Sequence, residues 1–354
     1  MKAPAIRRQP SETGFSLVEI LVSMALLTLL LAVLVSVTDS TRRTWSYTTS
    51  KIEQFRDARE AFEAISRRLS QATLNTYWDY DRDAAGNLLL GSTNSYIRQS
   101  ELRFISGPSL LAANTHPTHA IFFQASLGYV EGQAYINMEN LLNTWGYYIE
   151  FSDDSKGRPP FLNTSIVPTH SRFRLMELME PAESLSLYSL EVAGGGNSIY
   201  NATTWFTNPL PNKSRVLAEN IIALILLPRL SPQEDTTGAK LAPSYTYDST
   251  SAGPNGSTAS YNTKNQLPPV VQITMVAVDE SSFSRLQGNI TTMPSLGIDA
   301  LFTSVGDTED SSKPGYAKDL KTLETTLQSR KLNYRIFTAN VSINGAKWSR
   351  VQAK

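Results

Sequence analysis

From Phe15 to Val37 the chain runs FSLVEILVSMALLTLLLAVLVSV, a stretch in which Glu19 is the single ionisable side chain. At a helical rise of about 1.5 Å per residue, roughly 20 apolar residues cross the hydrocarbon core of a bilayer, so this stretch predicts a membrane-spanning helix with some tilt. The pattern then turns amphipathic instead of stopping. Between Thr44 and Leu74 there is neither Gly nor Pro; Phe55, Phe62 and Leu69 recur at one heptad spacing, and Ala58, Ile65 and Ala72 repeat it three residues later. Arg56 with Glu60, Arg59 with Glu63, and Glu63 with Arg67 are spaced as i,i+4 pairs on the opposite, solvated side. One continuous helix is predicted, its apolar stripe packed on the protein's own sheet; the heptads are too few to favour an intermolecular coiled coil.

Past Asn75 the period changes. Residues 101–106, 119–124, 145–151, 172–178, 220–227, 269–278 and 333–343 are rich in β-branched and aromatic residues and bounded by Gly, Pro, Asn or Ser, the mark of strands. Gln272 and Thr274 alternate with Val271, Ile273 and Met275, which predicts an antiparallel sheet with one face on a core and one in water. Two short helices are expected, at 279–287 and at 316–331, where Leu320, Leu323 and Leu327 share a face. The Gly, Ser, Asn and Thr tracts at 193–198 and 247–266 read as loops, and no linker divides the region in two. The expected class is α+β: a long N-terminal helix, half of it transmembrane, packed on an antiparallel β-sheet head with loop insertions. The expected organisation is a leader at 1–14, a membrane or assembly helix at 15–38, its amphipathic continuation at 39–75, and a β-rich head at 76–354.

Composition narrows the function. Lys plus Arg and Asp plus Glu are both 32, so no net field recruits nucleic acid. With no Cys, thiol catalysis, disulfides and Cys-containing zinc sites are excluded, and only three His remain. Before the apolar run stand Lys2, Arg7 and Arg8 against Glu12. By the positive-inside rule they place the N-terminus in the cytoplasm and the head on the far side of the inner membrane. No small-residue site of the A-x-A kind closes the run, as an ordinary cleaved signal would require.

Glu19 is the anomaly, because a carboxylate in hydrocarbon costs about 2.5–3.5 kcal/mol even on lenient scales. A plain signal anchor would tolerate it by snorkelling to the interface. The whole junction Gly14-Phe15-Ser16-Leu17-Val18-Glu19 behind a basic leader is more specific. It resembles the prepilin peptidase site of type IV pilins and type II secretion pseudopilins. The resemblance implies cleavage after Gly14, N-methylation of Phe15, and a role for Glu19, fifth from Phe15, in pairing with the N-terminal amine of a neighbouring subunit in a filament. It implies prepilin peptidase, other pilin or pseudopilin subunits and an inner-membrane assembly platform as partners. Where many major pilins break this helix with proline, Ser36 stands here, which favours a pseudopilin or minor pilin. Residues 60–81, 217–227, 269–278 and 333–346 are similar in order and character to W-type minor pilins and J-type minor pseudopilins. The stretch 173–188 further resembles protein C of a four-gene prepilin cassette of verrucomicrobial genomes.

No catalytic signature emerges. Asp79, Asp81 and Asp83 have the odd spacing of a calcium loop, but Ala84 and Leu90 stand where an EF-hand needs Gly and Glu, so calcium is only a weak candidate and no cofactor is expected. His116 and His119, with His170 distant, are expected as solvated loop residues before a metal pair. Asp307, Glu309 and Asp310 read as an exposed acidic loop. The expected function is structural, a low-copy subunit at a filament tip or initiation complex. The competing class is an uncleaved, membrane-anchored extracytoplasmic enzyme or binding protein.

Overall fold

The computed structural model describes residues 16–80, 87–88, 96–137, 140–155, 158–159, 161, 169–187, 203–235, 241–251, 262–287, 292–305 and 315–348. Two compact units are present, residues 1–53 and 54–354. Helix α1 (Leu17–Leu69) runs through the first and supplies the opening element of the second.

In the second unit the antiparallel strands are β1 (Tyr77–Tyr80), β2 (Tyr96–Gln99), β3 (Ile105–Pro108), β4 (His119–Ser126), β5 (Leu142–Ser152), β6 (Arg172–Glu180), β7 (Ser214–Glu219), β8 (Ile221–Arg229), β9 (Tyr247–Asp248), β10 (Val270–Val278) and β11 (Tyr334–Ser342). They form a six-stranded sheet in the order β7-β6-β5-β4-β3-β9, a three-stranded sheet in the order β11-β10-β8, and the pair β1-β2. The described residues also include short helices α2 (Thr204–Thr207) and α3 (Leu210–Lys213) and longer ones α4 (Glu280–Gln287) and α5 (Tyr316–Ser329). The α+β class expected from the sequence is what the structure has, with a long apolar N-terminal helix followed by antiparallel sheets. The acidic tract around Asp307 and the 193–198 tract lie outside the described residues, and the 247–266 tract opens with β9.

The period-2 pattern of β5 explains the layering. Trp145, Tyr147, Ile149 and Phe151 enter the main core with Phe173, Leu175 and Met179 of β6. Into the same core α1 inserts Ala58, Ala61, Phe62, Ile65 and Leu69, all under 9% exposed. Phe62 meets Phe337 of β11 at 5.8 Å between ring centroids, and Phe337 is the cross-strand neighbour of Met275. The helical stripe therefore covers the Val271, Ile273 and Met275 face, as the heptad spacing predicts. On the wet side Arg59 Nε holds Glu63 at 2.9 Å and Arg56 lies 3.7 Å from Glu60. Of the two partners expected for Glu63, Arg59 is the one that holds it.

The second face of β10 departs from expectation. Thr274 is fully buried, its hydroxyl 2.6 Å from the Tyr316 hydroxyl at the start of α5, and Gln272 accepts from Arg229 at 2.9 Å. The polar alternation here marks a face closed by side-chain hydrogen bonds, a pattern that sequence cannot tell from a solvated face. The outer face of the six-stranded sheet carries a second cluster, in which Phe122 stacks on Phe206 at 4.1 Å. Phe122 lies over Gly146, where any Cβ would strike its ring.

One carboxylate sits at the seam between α1 and the six-stranded sheet. Glu177 of β6 is fully buried on the core face, and its Oε1 accepts from Arg68 of α1, from Trp145 Nε1 at 2.8 Å and from the Tyr147 hydroxyl at 2.9 Å. Its Oε2 accepts two bonds from Arg215 of β7, at 2.8 and 3.0 Å. The Arg68 guanidinium also lies 5.0 Å above the Trp145 ring. Burial, followed by the Glu177 charge, pushes the Tyr147 phenol above its ordinary value and keeps it a donor. Removing one member of a buried ionic network strands its partners, so Glu177→Ala is expected to destabilise the head by about 3–5 kcal/mol. Arg59→Ala, which breaks an exposed pair, should cost under about 1 kcal/mol. Urea denaturation of the detergent-solubilised full chain, followed by tryptophan fluorescence, measures both.

Candidate functional site

The described chain opens at Ser16, so Gly14 and Phe15 lie outside the described residues. Helix α1 starts with a reciprocal cap: the Ser16 N–H donates to Glu19 Oε2 at 2.9 Å, and the Glu19 N–H donates to Ser16 Oγ at 3.3 Å. This is the capping box that S-x-x-E at a helix start forms, and it satisfies two otherwise orphaned donors. The cap gives Glu19 a local partner in the single chain. Its signal is legible in Ser16-Leu17-Val18-Glu19, an S-x-x-E pattern that stands beside the interface and intermolecular roles expected for Glu19.

Beyond the cap, the most apolar 18-residue window within Leu17–Thr49 has a mean hydropathy of 2.8, and no residue of that window is buried. Between Leu17 and Val37, exposure of the large apolar side chains runs from 50% at Val22 to 79% at Leu17. Polar side chains here are disposed of within the helix: Ser23 and Thr28 donate to carbonyls three residues back, and Thr38 and Thr41 to carbonyls four back, at 2.8–2.9 Å. Asp39 and Arg43 neutralise each other at 2.9 Å. The helix passes Ser36 without a break. What remains is an apolar cylinder with one capped carboxylate near its start, long enough for a single membrane pass by length and composition.

The described residues include one of the three calcium candidates. Asp79 lies in β1 and its Oδ1 accepts the Tyr80 N–H at 2.8 Å, while Asp81 and Asp83 fall outside the described residues. No group of three or more metal-capable His, Cys, Asp or Glu occurs among the described residues.

The histidines separate. His116 bonds Thr115 Oγ1 at 2.8 Å and packs on the Tyr148 ring. His119, expected as a solvated loop residue, is 2% exposed and opens β4. Its Nδ1 accepts the Leu226 N–H of β8 at 3.0 Å, and its Nε2 faces the Phe302 carbonyl at 3.0 Å, a pairing that requires the neutral ring with its proton on Nε2. His119 thereby ties the six-stranded sheet to β8 and to the segment before α5. Burial pushes its pKa down to about 4 against the weaker upward pull of the two backbone contacts.

Residues 10–35 match the family model described as the prokaryotic N-terminal methylation motif. No curated protein matches the chain, and no solved structure does. The chain carries a prepilin-type motif on a single apolar N-terminal helix, which supports a type IV pilin- or pseudopilin-like precursor. Such a motif points to a structural protein in preference to an enzyme.

The His119 geometry sets an acid limit on the head. Because its folded pKa lies below the unfolded value of about 6.5, the unfolded chain takes up a proton that the folded one refuses. The stability it contributes is complete above about pH 6.5 and declines as pH falls toward 4, by up to about 3 kcal/mol. Denaturation of the full chain against pH should show this slope, and His119→Gln, which can donate and accept at the same place, should flatten it.

Proposed function

We propose that this chain is a minor pilin or pseudopilin, a structural subunit of a type IV pilus-like or type II secretion-like filament. The observation that carries the reading is the methylation motif at residues 10–35 seated on a helix whose apolar surface is uncovered in the single chain. Prepilin peptidase would cut after Gly14 and the new N-terminal residue, Phe15, would be methylated. Before assembly the helix rests in the inner membrane with its N-terminus cytoplasmic and the head periplasmic, as Lys2, Arg7 and Arg8 suggest. On extraction by the assembly platform, apolar helices of other subunits replace lipid around it.

Glu19 has two partners in this scheme. In the lone chain it caps the Ser16 N–H; in the filament it meets the amine of a neighbouring Phe15 equivalent, so two charges leave water together and neutralise each other. The head favours a low-copy position near the tip, together with other minor subunits of the W and J kinds. It is large for a repeating unit, and extra bulk is hard to repeat at each step of a tightly packed helical array. Membership of a verrucomicrobial cassette is the finest form of the proposal and rests on the 173–188 stretch alone.

Two experiments test it. Mass spectrometry of the native protein should find a chain beginning at N-methylated Phe15; an intact leader in cells with active prepilin peptidase would sink the reading. Glu19→Gln keeps an acceptor for the cap and loses the charge, whereas Glu19→Val loses both. Both should insert and be cleaved normally and both should fail to enter a filament, and wild-type assembly of Glu19→Gln would show that the cap, not the charge, is what matters.

A further inference from the structure

Strands β1 and β2 pair with each other apart from both larger sheets, with four residues in each strand. A lone pair of that length is marginal in water, because it has no third strand to complete an apolar face. Its base is tied to the head: Asn75 Oδ1 accepts the Glu101 and Leu102 N–H groups at 3.0 and 3.1 Å, and Asn265 Nδ2 donates to the Arg98 carbonyl at 2.6 Å. At the other end, where β1 stops and β2 starts, Tyr80 and Tyr96 are direct cross-strand neighbours.

Their ring centroids lie 4.5 Å apart at an interplanar angle of 37°, and the Tyr96 hydroxyl donates to the Tyr80 oxygen at 2.6 Å. The rings therefore close toward their hydroxyl ends, and the ring carbons ortho to each oxygen are drawn together with them. The pair is open to reagents in water, since Tyr96 is 58% exposed and Tyr80 half-buried. The nearby Tyr77 faces Gln99 instead, and among the described residues no other ring contact joins two tyrosines.

Stacking across strands gives a hairpin only a small stabilisation. A covalent link does more, because it takes freedom from the unfolded chain between the two residues, which are 16 positions apart. A disulfide is closed to this chain, which has 15 Tyr and no Cys.

We propose that Tyr80 and Tyr96 are a site of oxidative crosslinking, at which hydrogen peroxide and a haem-peroxidase-type catalyst join the two rings as o,o′-dityrosine and lock β1 to β2. Each phenol gives up one electron and its hydroxyl proton and becomes a phenoxyl radical. The radicals couple through a carbon–carbon bond between ortho positions, and the hydrogens on those two carbons pass as protons to the oxygens as the rings regain aromaticity. Two electrons and two protons leave in all, and they reduce one hydrogen peroxide to two waters. The product keeps both hydroxyls side by side, where the 2.6 Å contact already holds them. The inference goes beyond the assembly role and does not depend on leader processing.

It is tested by treating the full chain in detergent with hydrogen peroxide and a haem peroxidase, isolating the monomer by denaturing gel, and digesting it with trypsin. Cleavage after Arg68, Arg82 and Arg98 puts Tyr80 and Tyr96 in separate peptides, 69–82 and 83–98. Wild type should give these two peptides joined, lighter than their sum by two hydrogens, with fragment ions placing the link at Tyr80 and Tyr96 and with the fluorescence of dityrosine. Tyr80→Phe and Tyr96→Phe should each lower the joined peptide at least tenfold, while Tyr135→Phe, at another exposed tyrosine, should leave it unchanged, with thermal melts confirming that the variants fold. Because the link is located in the wild-type protein, that result stands even if a variant fails to fold. The proposal is overturned if the monomer holds no joined peptide, if the link falls on Tyr77 in place of Tyr80, or if either Phe variant at the pair keeps the wild-type yield.

Discussion

A fully buried carboxylate in the core has to be surrounded by donors, and Glu177 recruits four donor residues from three separate parts of the chain: the last turn of α1, two positions of β5 and the edge strand β7. Such a network is demanding in direction as well as in charge, since each donor must arrive from its own side. Arg68 suits its place at the helix C-terminus, where a cation also meets the negative end of the helix dipole. Once Arg68 is held on Glu177, the rotation of the final turns of α1 is set, and Ala58, Phe62, Ile65 and Leu69 fall on the core side together. Hydrophobic burial supplies most of the energy, while the ionic network selects one orientation of helix on sheet. Just beyond it the Thr73 N–H donates to the Gln124 carbonyl of β4 at 2.9 Å, continuing the seam with backbone bonds.

What was legible follows from how local the physics is. The strands β4, β5, β6, β8, β10 and β11 announced themselves because their β-branched and aromatic runs are long enough to show a period, and α4 and α5 because their apolar residues share a helical face. The short β1 and β2 carry too few residues for a period, β7 is an edge with mixed polarity, and β9 sits inside a tract that reads as loop. The segment 101–106 enters its strand only at Ile105, because the N–H groups of Arg103 and Phe104 are taken by the side chains of Gln124 and Ser249 in place of a ladder. Such substitution leaves no trace in the local sequence.

The same distinction holds for the candidate residues. Gly14, Phe15 and Glu19 stand out because their pattern lies in neighbouring positions of the sequence. Glu177 could not, although a hint was present: the alternation Phe173, Leu175, Glu177, Met179 puts one carboxylate on an otherwise apolar face. The partners that make sense of it stand far away in sequence. The burial of His119 was missed for a related reason: the predicted strand 119–124 begins with it, but HPTH looks like a polar turn, and the two backbone groups that close on its ring stand far away in sequence.

The Asn344 N–H donates to the Ser70 carbonyl at 2.9 Å just after α1 ends, and β11 supplies one edge of the three-stranded sheet whose centre is β10. The first and final described elements of the head are therefore bound to each other, and β10 has an open edge until β11 reaches it. Closure over so great a separation along the chain is slow, because the entropy of bringing the ends together is lost before any contact rewards it. Time thus enters the architecture: while the polypeptide is being made, the core-facing stripe of α1 waits without its sheet, exposed to whatever else is nearby. A chaperone that shields that stripe during synthesis would act on the interval between the emergence of Phe62 and that of Phe337, the two rings that finally close on each other.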